Sequence, residues 1–531
     1  KRQSGLTEAS LKTTMDRAEP EPPLELPPPE ESAPPPVAAP KPEEEHPHIS
    51  APRLLFTVAV SFTIIFLFLR TMTVEPFGVP TGSMAPALIG NHRECPCPRC
   101  TYPIRVGIPA RGDLVRPFND VACPNCGKHI TLADAREING DRLLVDKNIF
   151  TLRSPRRWEV AVFRCAADLS KPYVKRVVGL PGERITLVDG DVYNHGELLR
   201  KALPEVRETR LLIFDMAFVP NPGGWGDRWL VAPPGNDPRL PASTHRPPAP
   251  ADASVVYKNT ITLDAAESSQ KTVGLTYHHR DLDDSRNGVP KLNSTVEYRK
   301  DIITSWNSYD GARPDIATYP VHDFMVECEI EVVSVAGEGT FACRLFDGTD
   351  SVNADLSVGQ RSKGAHLIHE GGKGLASVGG VALERGRIYK FEFAFVDRRA
   401  SLALDGKLLA SGDLPKVRTR GDVRKPLQLG ARGCKLLVRD LKIFRDIHYT
   451  PSGRNGVRSP ADLGPDEYFM LGDNSGNSQD SREWPKPGVP EGDFIGKPFV
   501  IHQPLRLGRS TWGGRERVFQ TLDWSRLRWL H

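Results

Sequence analysis

Ser83 lies in VPTGSMAPAL (Val79 to Leu88), between a glycine and a methionine. A serine hydroxyl is a nucleophile once a base takes its proton. Two groups beside it can donate to an oxyanion, its own backbone N–H and the Thr81 hydroxyl, while Pro80 and Pro86 limit the backbone on either side. No GxSxG elbow surrounds it, and a Ser-His-Asp triad with distant members stays open. The other available base is a lysine stripped of water. Its sequence sign is a lysine inside an apolar strand, and YVKRVV (Tyr173 to Val178) is such a place. Alternation puts Tyr173, Lys175 and Val177 on one face and Arg176 on the other. A dense polar run, GDNSGNSQDSR (Gly472 to Arg482), follows the apolar Tyr468 to Leu471 and offers hydroxyls and carboxylates to orient a buried amine.

A second kind of chemistry resides in the cysteines. Cys97 and Cys100, then Cys123 and Cys126, form CxxC…CxxC, with Cys95 as a spare. Two such knuckles suit tetrahedral zinc. Four protein ligands leave no open position, so the expected metal is structural and none is expected in catalysis. A pair of disulfides is the alternative, which an oxidising compartment would favour. Cys165, Cys328, Cys343 and Cys434 are scattered and read as small buried hydrophobes.

These groups need elements to position them. With 531 residues, two or three folded units are expected. The net charge of +4 comes from interspersed signs without a basic stripe, so no nucleic-acid partner is expected. Residues 1–50 are rich in Pro, Glu and Ala and read as a disordered tail. Leu54 to Leu69 carries no charge and lies between Arg53 and Arg70, so residues 51–73 read as a membrane-spanning helix. The ~50 hydrophilic residues before it, and the lack of a small-x-small cleavage site after it, favour a retained anchor over a secretory signal peptide. The first residue is Lys, which leaves room for a longer precursor. Beyond residue 200, Pro, Gly and Trp suggest an extended connection wrapping the surface (201–254). Alternating runs at Phe324 to Val332 and Tyr389 to Phe395, and a hairpin around Asp405-Gly406, then predict an antiparallel β-sandwich over 255–455. In it, Trp306, Tyr309 and His278-His279 are candidates for exposed aromatic or ligand contacts, with ordinary loop and rim residues as the favoured reading. The Trp, Leu and Arg of the tail, Arg515 to His531, suit a short amphipathic helix.

VPTGSMAPAL, YVKRVVGLPGE and YFMLGDNSGNSQDSREW, in that order behind an anchor, resemble the motifs of type I signal peptidases. RLLVDKNIF and RRWEVAVFR resemble the segment between the first two. The resemblance implies a membrane-bound Ser-Lys endopeptidase that cuts signal peptides from exported preproteins after small residues in an A-x-A-like pattern. By position it implies Ser83 as nucleophile, Lys175 as general base, and Ser478 as the hydroxyl bonded to the lysine. Thr81 then completes the oxyanion hole, and Asp473, Asp480 and Arg482 support the last motif. Val79, Met84, Leu88, Tyr173 and Val174 line shallow apolar pockets. It further implies a single-pass protein of the inner (cytoplasmic) membrane, with its catalytic domain on the extracytoplasmic side.

The expected fold is mainly β. A signal-peptidase-type antiparallel core (74–90, 139–200 and 456–512) follows the transmembrane helix and ends in a tail, 513–531. The core is interrupted by a zinc-ribbon-like insert (91–138) and by a sandwich of jelly-roll type resembling laminin-G and concanavalin-like modules, a candidate for binding a glycan or protein, with a spacer or docking surface as the alternative. The chain departs from the family at Glu159, where Asp is usual, and at Gly476, where a charged residue is usual. An inactive peptidase-like binding protein on the membrane, and another Ser-Lys protease such as a self-cleaving regulator, are the alternatives.

Overall fold

The computed structural model describes residues 50–108, 120–132, 135–165, 168–221, 224–225, 228–231, 254–267, 269, 271–279, 302–311, 316–359, 364–417, 419–512 and 515–530. The Pro/Glu-rich tail lies almost wholly outside them, as do residues 232–253 of the connection. The described chain is mainly β. One long helix, Ala51–Thr73, presents apolar side chains without cover over Ala51–Phe68 and is long and apolar enough to cross a membrane.

The strand Val74–Gly78 begins a sheet that runs, in order of pairing, through Arg142–Asp146, Phe494–Ile501, Val160–Cys165, Asp168–Gly179, Glu467–Leu471 and Gly488–Pro490. The sequence order is thus strongly shuffled. Phe494–Ile501 comes near the end of the chain yet lies between two early strands, pairing antiparallel with both. Asp168–Gly179 lies between Val160–Cys165 and Glu467–Leu471, so Lys175 sits in an interior strand. Here both faces are covered, since Val160–Phe163 and Tyr468–Leu471 are buried residue by residue, hence the apolar runs VAVF and YFML.

The first insert leaves and rejoins this core beside itself, since His92 pairs with Ile138. It contains the sheet Pro103–Gly107, His92–Pro96, Arg136–Ile138 and the ribbon Asp120–Ala122 with His129–Thr131.

The second insert is built on two long strands, Phe324–Phe346 and Leu427–Arg445, paired antiparallel along most of their length. Register shifts around Val332 and Val335 let the two halves of Phe324–Phe346 take different neighbours. Its first half pairs with Ile388–Val396 and its second with Ser351–Val358. The alternating side chains meet in one apolar cluster that includes Phe341, Phe391 and Phe393. The expected hairpin is present between Arg399–Leu404 and Lys407–Asp413, with positive φ at Asp405 (50°) and Gly406 (80°). Those angles match the primed turn that the twist of a two-residue hairpin favours.

Two expectations need correction. The connection after residue 200 does not simply wrap the surface: Leu203–Thr209 is a helix, Leu211–Asp215 pairs with Leu427–Arg445, and Trp225 and Trp229 are buried in the insert's core. Large aromatic area, available only by burial, outweighs the turn-forming Pro and Gly around it. The tail is not an amphipathic helix either. Arg515–Leu522 forms a hairpin with Leu505–Trp512, and only Trp524–Arg526 turns as a short 3-10 helix. Val518, Phe519 and Thr521 favour strand, and an unpacked helix of that length is only marginally stable in water, whereas pairing with Leu505–Trp512 adds a cross-strand ladder.

Candidate active site

The strand Asp168–Gly179 carries Lys175 into the protein, 3% exposed. Its Nζ donates to Ser478 Oγ at 3.1 Å across 303 residues of sequence. Burial lowers the amine from 10.5 to about 8. Asp480 pulls it upward, Arg482 pushes it down, and burial outweighs both. At pH 7 a lysine titrating near 8 is neutral in about one molecule in ten, roughly 300 times more often than a lysine near 10.5.

The loop bearing Ser478 is fixed by two buried ion pairs. Arg176, on the opposite face from Lys175, holds Asp473 bidentately at 2.8 and 2.6 Å and also donates to the Trp158 carbonyl. Arg482 holds Asp480 at 2.8 Å through both Nε and Nη2, and its remaining donors satisfy Thr450 and Ser475. Burial alone would raise the Asp480 carboxyl, but the Arg482 guanidinium keeps it below the usual range. Asp480 in turn accepts from the Gly472 N–H at 3.1 Å. A glycine is needed there, because any side chain at residue 472 would run into the Ser478 side chain and the Ser83 carbonyl.

Ser83 sits half-buried in a turn, next to exposed Thr81. Its carbonyl accepts from the Asn474 N–H at 3.0 Å, and the Asn474 side chain donates to the Gly82 carbonyl at 3.1 Å. The Ser83 turn is thus docked by its backbone on the loop that also carries Ser478. Behind it, one residue ties both ends. The Asp141 carbonyl accepts from Val79 N–H, its N–H donates to the Ile89 carbonyl, and its carboxylate accepts from Ile89 N–H at 2.7 Å. Arg526 completes that knot with bonds of 2.8 and 2.6 Å to the same carboxylate.

Of the apolar residues assigned to substrate pockets, Val79, Met84, Leu88 and Val174 meet in one cluster with Leu143, Val160 and Ile501. Tyr173 is apart, in an aromatic group with Phe163 and Trp484, because successive strand residues face opposite sides. Glu159 accepts from Arg153 (2.7 and 2.9 Å) and Lys497 (3.0 Å), so the longer carboxylate is fully used.

Arg176, Asp141 and Arg526 were missed in the sequence. An arginine inside an apolar strand followed far downstream by an aspartate was a readable signal for the first. Nothing local marks Asp141 or Arg526. The exposed-aromatic expectation fails for two residues: Tyr309 is 4% and His278 6% exposed. Tyr309 is drawn inward by a niche that three glycines leave open, and the His278 N–H donates to the carbonyl of buried Arg228 at 2.8 Å. His279 bonds Tyr277 Oη at 3.2 Å and Trp306 donates to the Gly311 carbonyl at 3.1 Å, and both half-buried residues line a cavity of about 960 Å³.

The four knuckle cysteines have all their sulfur atoms within 4.8 Å of one another. Cys97 and Cys126, and likewise Cys100 and Cys123, approach to 3.6 Å. Zn–S bonds near 2.3 Å would place tetrahedral thiolates about 3.8 Å apart, whereas a disulfide needs about 2.05 Å. The two knuckles repeat one geometry: Thr101 N–H donates to the Cys97 carbonyl and Gly127 N–H to the Cys123 carbonyl, each at 2.8 Å and each with positive φ. Cys95 lies outside the group, half-buried in His92–Pro96. Cys165, Cys328, Cys343 and Cys434 are buried and free.

Residues 131–219 and 440–502 match the family described as signal peptidase, peptidase S26. The matched residues include Lys175 and Ser478 but not Ser83. The probable signal peptidase I-2 of Synechocystis sp. is 36% identical over 64 residues, 11% of this chain and 29% of that protein. Signal peptidase I of Pseudomonas fluorescens is 30% identical over 147 residues, 27% of this chain and 38% of that protein. The chain therefore spans well under half the length of these curated relatives. Among solved structures, the carbohydrate binding module CBM66 from Bacillus subtilis is 15% identical and covers 23% of this chain and 73% of its own, with a TM-score of 0.19.

Proposed function

We propose that this chain is a membrane-bound serine endopeptidase that removes N-terminal signal peptides from exported preproteins. The observation that carries the reading is the buried Lys175 amine bonded to Ser478, on a loop that also docks the Ser83 turn, within a region similar to signal peptidases.

Neutral Lys175 takes the Ser83 proton as Oγ bonds to the scissile carbonyl carbon, whose oxygen becomes an oxyanion. The Ser83 N–H and Thr81 hydroxyl stabilise that charge. Collapse of the intermediate breaks the C–N bond, and the leaving amine takes the proton from Lys175. Lys175 then deprotonates a water, which attacks the acyl carbon and releases Ser83 with its proton restored. Ser478 holds the amine in line throughout, and Asp480 with Arg482 holds Ser478. The apolar group of Val79, Met84, Leu88 and Val174 selects small side chains near the cleaved bond, because shallow pockets exclude large ones. Helix Ala51–Thr73 anchors the enzyme in the bilayer, with the catalytic core on the extracytoplasmic side. Cys97, Cys100, Cys123 and Cys126 hold a structural zinc that fixes the first insert. The sandwich insert takes a glycan or protein ligand.

Incubation of a preprotein with the full chain in detergent or vesicles tests the reading. Cleavage after a small residue by the native protein, and none by Ser83→Ala, is expected. Failure of the native protein to process any of several preproteins would overturn it in favour of a membrane-anchored binding protein.

A further inference from the structure

We propose, resting on the peptidase reading, that the turn Trp306 to Gly311 of the sandwich insert clamps the nucleophile loop, and that Tyr309 and Asp310 are positioning residues for the reaction. The contacts come from three directions. Asn307 Nδ2 donates to the Ala85 carbonyl at 3.1 Å, two residues past Ser83. Tyr309 Oη donates to the Asn91 carbonyl at 2.8 Å, beyond the other end of the loop. The Tyr309 ring lies over Gly82, Gly90 and Gly107, and a methyl group on Gly82 or Gly107 would overlap it. Ala85, Ile89 and Tyr309 form their own buried apolar cluster. One side chain of the insert therefore touches both the nucleophile turn and the first insert.

Asp310 acts through the asparagine that docks Ser83. Its Oδ1 accepts from Asn474 Nδ2 and Asn477 Nδ2, both at 2.8 Å. The same Asn474 amide group donates to the Gly82 carbonyl, and the Asn474 N–H donates to the Ser83 carbonyl. A carboxylate in this place fixes which way the Asn474 amide faces. Gly476 fits the same arrangement: a Cβ there would approach Ile316 Cγ2 to 2.8 Å. The charged residue usual at this position in the family would collide with the insert. Among the described residues, a cavity of about 20 Å³ lies between the clamp and the Asp473–Gly476 loop.

The clamp is itself braced. Asn307 Oδ1 accepts from Tyr309 N–H at 3.1 Å, and Ser305 N–H donates to the Tyr319 carbonyl at 2.7 Å. Buried Arg445 donates to the Ser305 and Trp306 carbonyls at 3.0 and 3.2 Å. A rigid turn bearing on a loop near the reacting atoms is where a displacement of about 1 Å costs about a hundredfold in rate.

The test uses the full chain with Asp310→Ala, Asp310→Asn and Tyr309→Phe, a preprotein substrate, and peptide-resolved amide exchange. Asp310→Ala should lower kcat per folded molecule about tenfold to a hundredfold with KM within about threefold. Asp310→Asn, which keeps an acceptor oxygen, should recover most of the rate. The pH midpoint should stay in place, since Lys175 keeps its surroundings. Exchange should quicken across 80–90 and stay slow across 168–179. Unchanged exchange across 80–90, or unchanged kcat per folded molecule despite faster exchange, overturns the proposal. Tyr309→Phe removes one hydroxyl and keeps the ring, so it still reports if the alanine variant fails to fold. If the native chain cleaves no preprotein, the peptidase reading falls, and exchange alone decides whether the clamp holds the loop.

Discussion

The two halves of the candidate site are held by different physics. On the Lys175 side, burial and charge do the work: a desolvated amine, a serine hydroxyl, and the pairs Arg176–Asp473 and Arg482–Asp480, all nearly inaccessible to water. On the Ser83 side, backbone hydrogen bonds and close contact face the turn itself, through Asp141, Asn474 and the ring of Tyr309, and charge enters one step back, where Arg526 pairs with Asp141 and Asp310 holds Asn474. The base must have its protonation state set, and that is an electrostatic task. The nucleophile must have its position set, and that is a steric one. Substitutions on the two sides should therefore fail in different ways.

The largest effect belongs to the reacting groups. Ser83→Ala and Lys175→Ala should each cut kcat/KM by about 10⁴-fold or more in preprotein processing. Full activity in Lys175→Ala would break the comparison at its root. Next comes Asp473→Ala, which leaves the buried Arg176 unpaired and should cost about 3–5 kcal/mol in urea unfolding. A loss below about 1 kcal/mol would show that the Lys175 side is not held by charge. Ser478→Ala removes the partner of the lysine and should lower kcat by roughly 5- to 150-fold, the equivalent of about 1–3 kcal/mol, with little change in KM.

Smaller, but sharper as a distinction, is the pH profile. Only neutral Lys175 accepts the proton, and burial lowers its pKa, so kcat/KM should rise with pH and level off above about 8. A midpoint near 10 would mean a hydrated lysine. The least effect on rate is expected from the metal. Purified protein should contain one zinc per chain, and chelation should lower the melting temperature while slowing processing less than Ser478→Ala does. Absence of zinc together with absence of free thiols among the four would favour disulfides.

Much of the Lys175 side was legible in the sequence. An alternating apolar strand interrupted by one lysine, and a polar run after YFML, are local patterns with a physical meaning. The Ser83 side was legible as chemistry but not as mechanics. VPTGSMAPAL names a nucleophile, yet its supports are Asp141, Arg526 and Tyr309, each from a different part of the chain and none in a distinctive pattern. Tyr309 reads as a loop or rim residue, with a ligand contact as the other reading, because an aromatic in a polar stretch has no periodicity to say which way it faces. The three glycines that make room for it are ordinary until they are seen together. The tail misled for a related reason: a short mix of Trp, Leu and Arg fits a helix or a hairpin, and only the partner strand decides.

The bond between Lys175 and Ser478 spans 303 residues, and the whole sandwich insert is made in between. At roughly 5–20 residues per second of synthesis, Ser478 emerges about 15–60 s after Lys175. During that interval Ser83 and the lysine already exist, but the loop that orients the amine does not. The order of the chain thus builds in a delay: a half-made molecule lacks the Ser478 partner of Lys175, and the turn Trp306 to Gly311 is made before that last piece of the candidate site arrives.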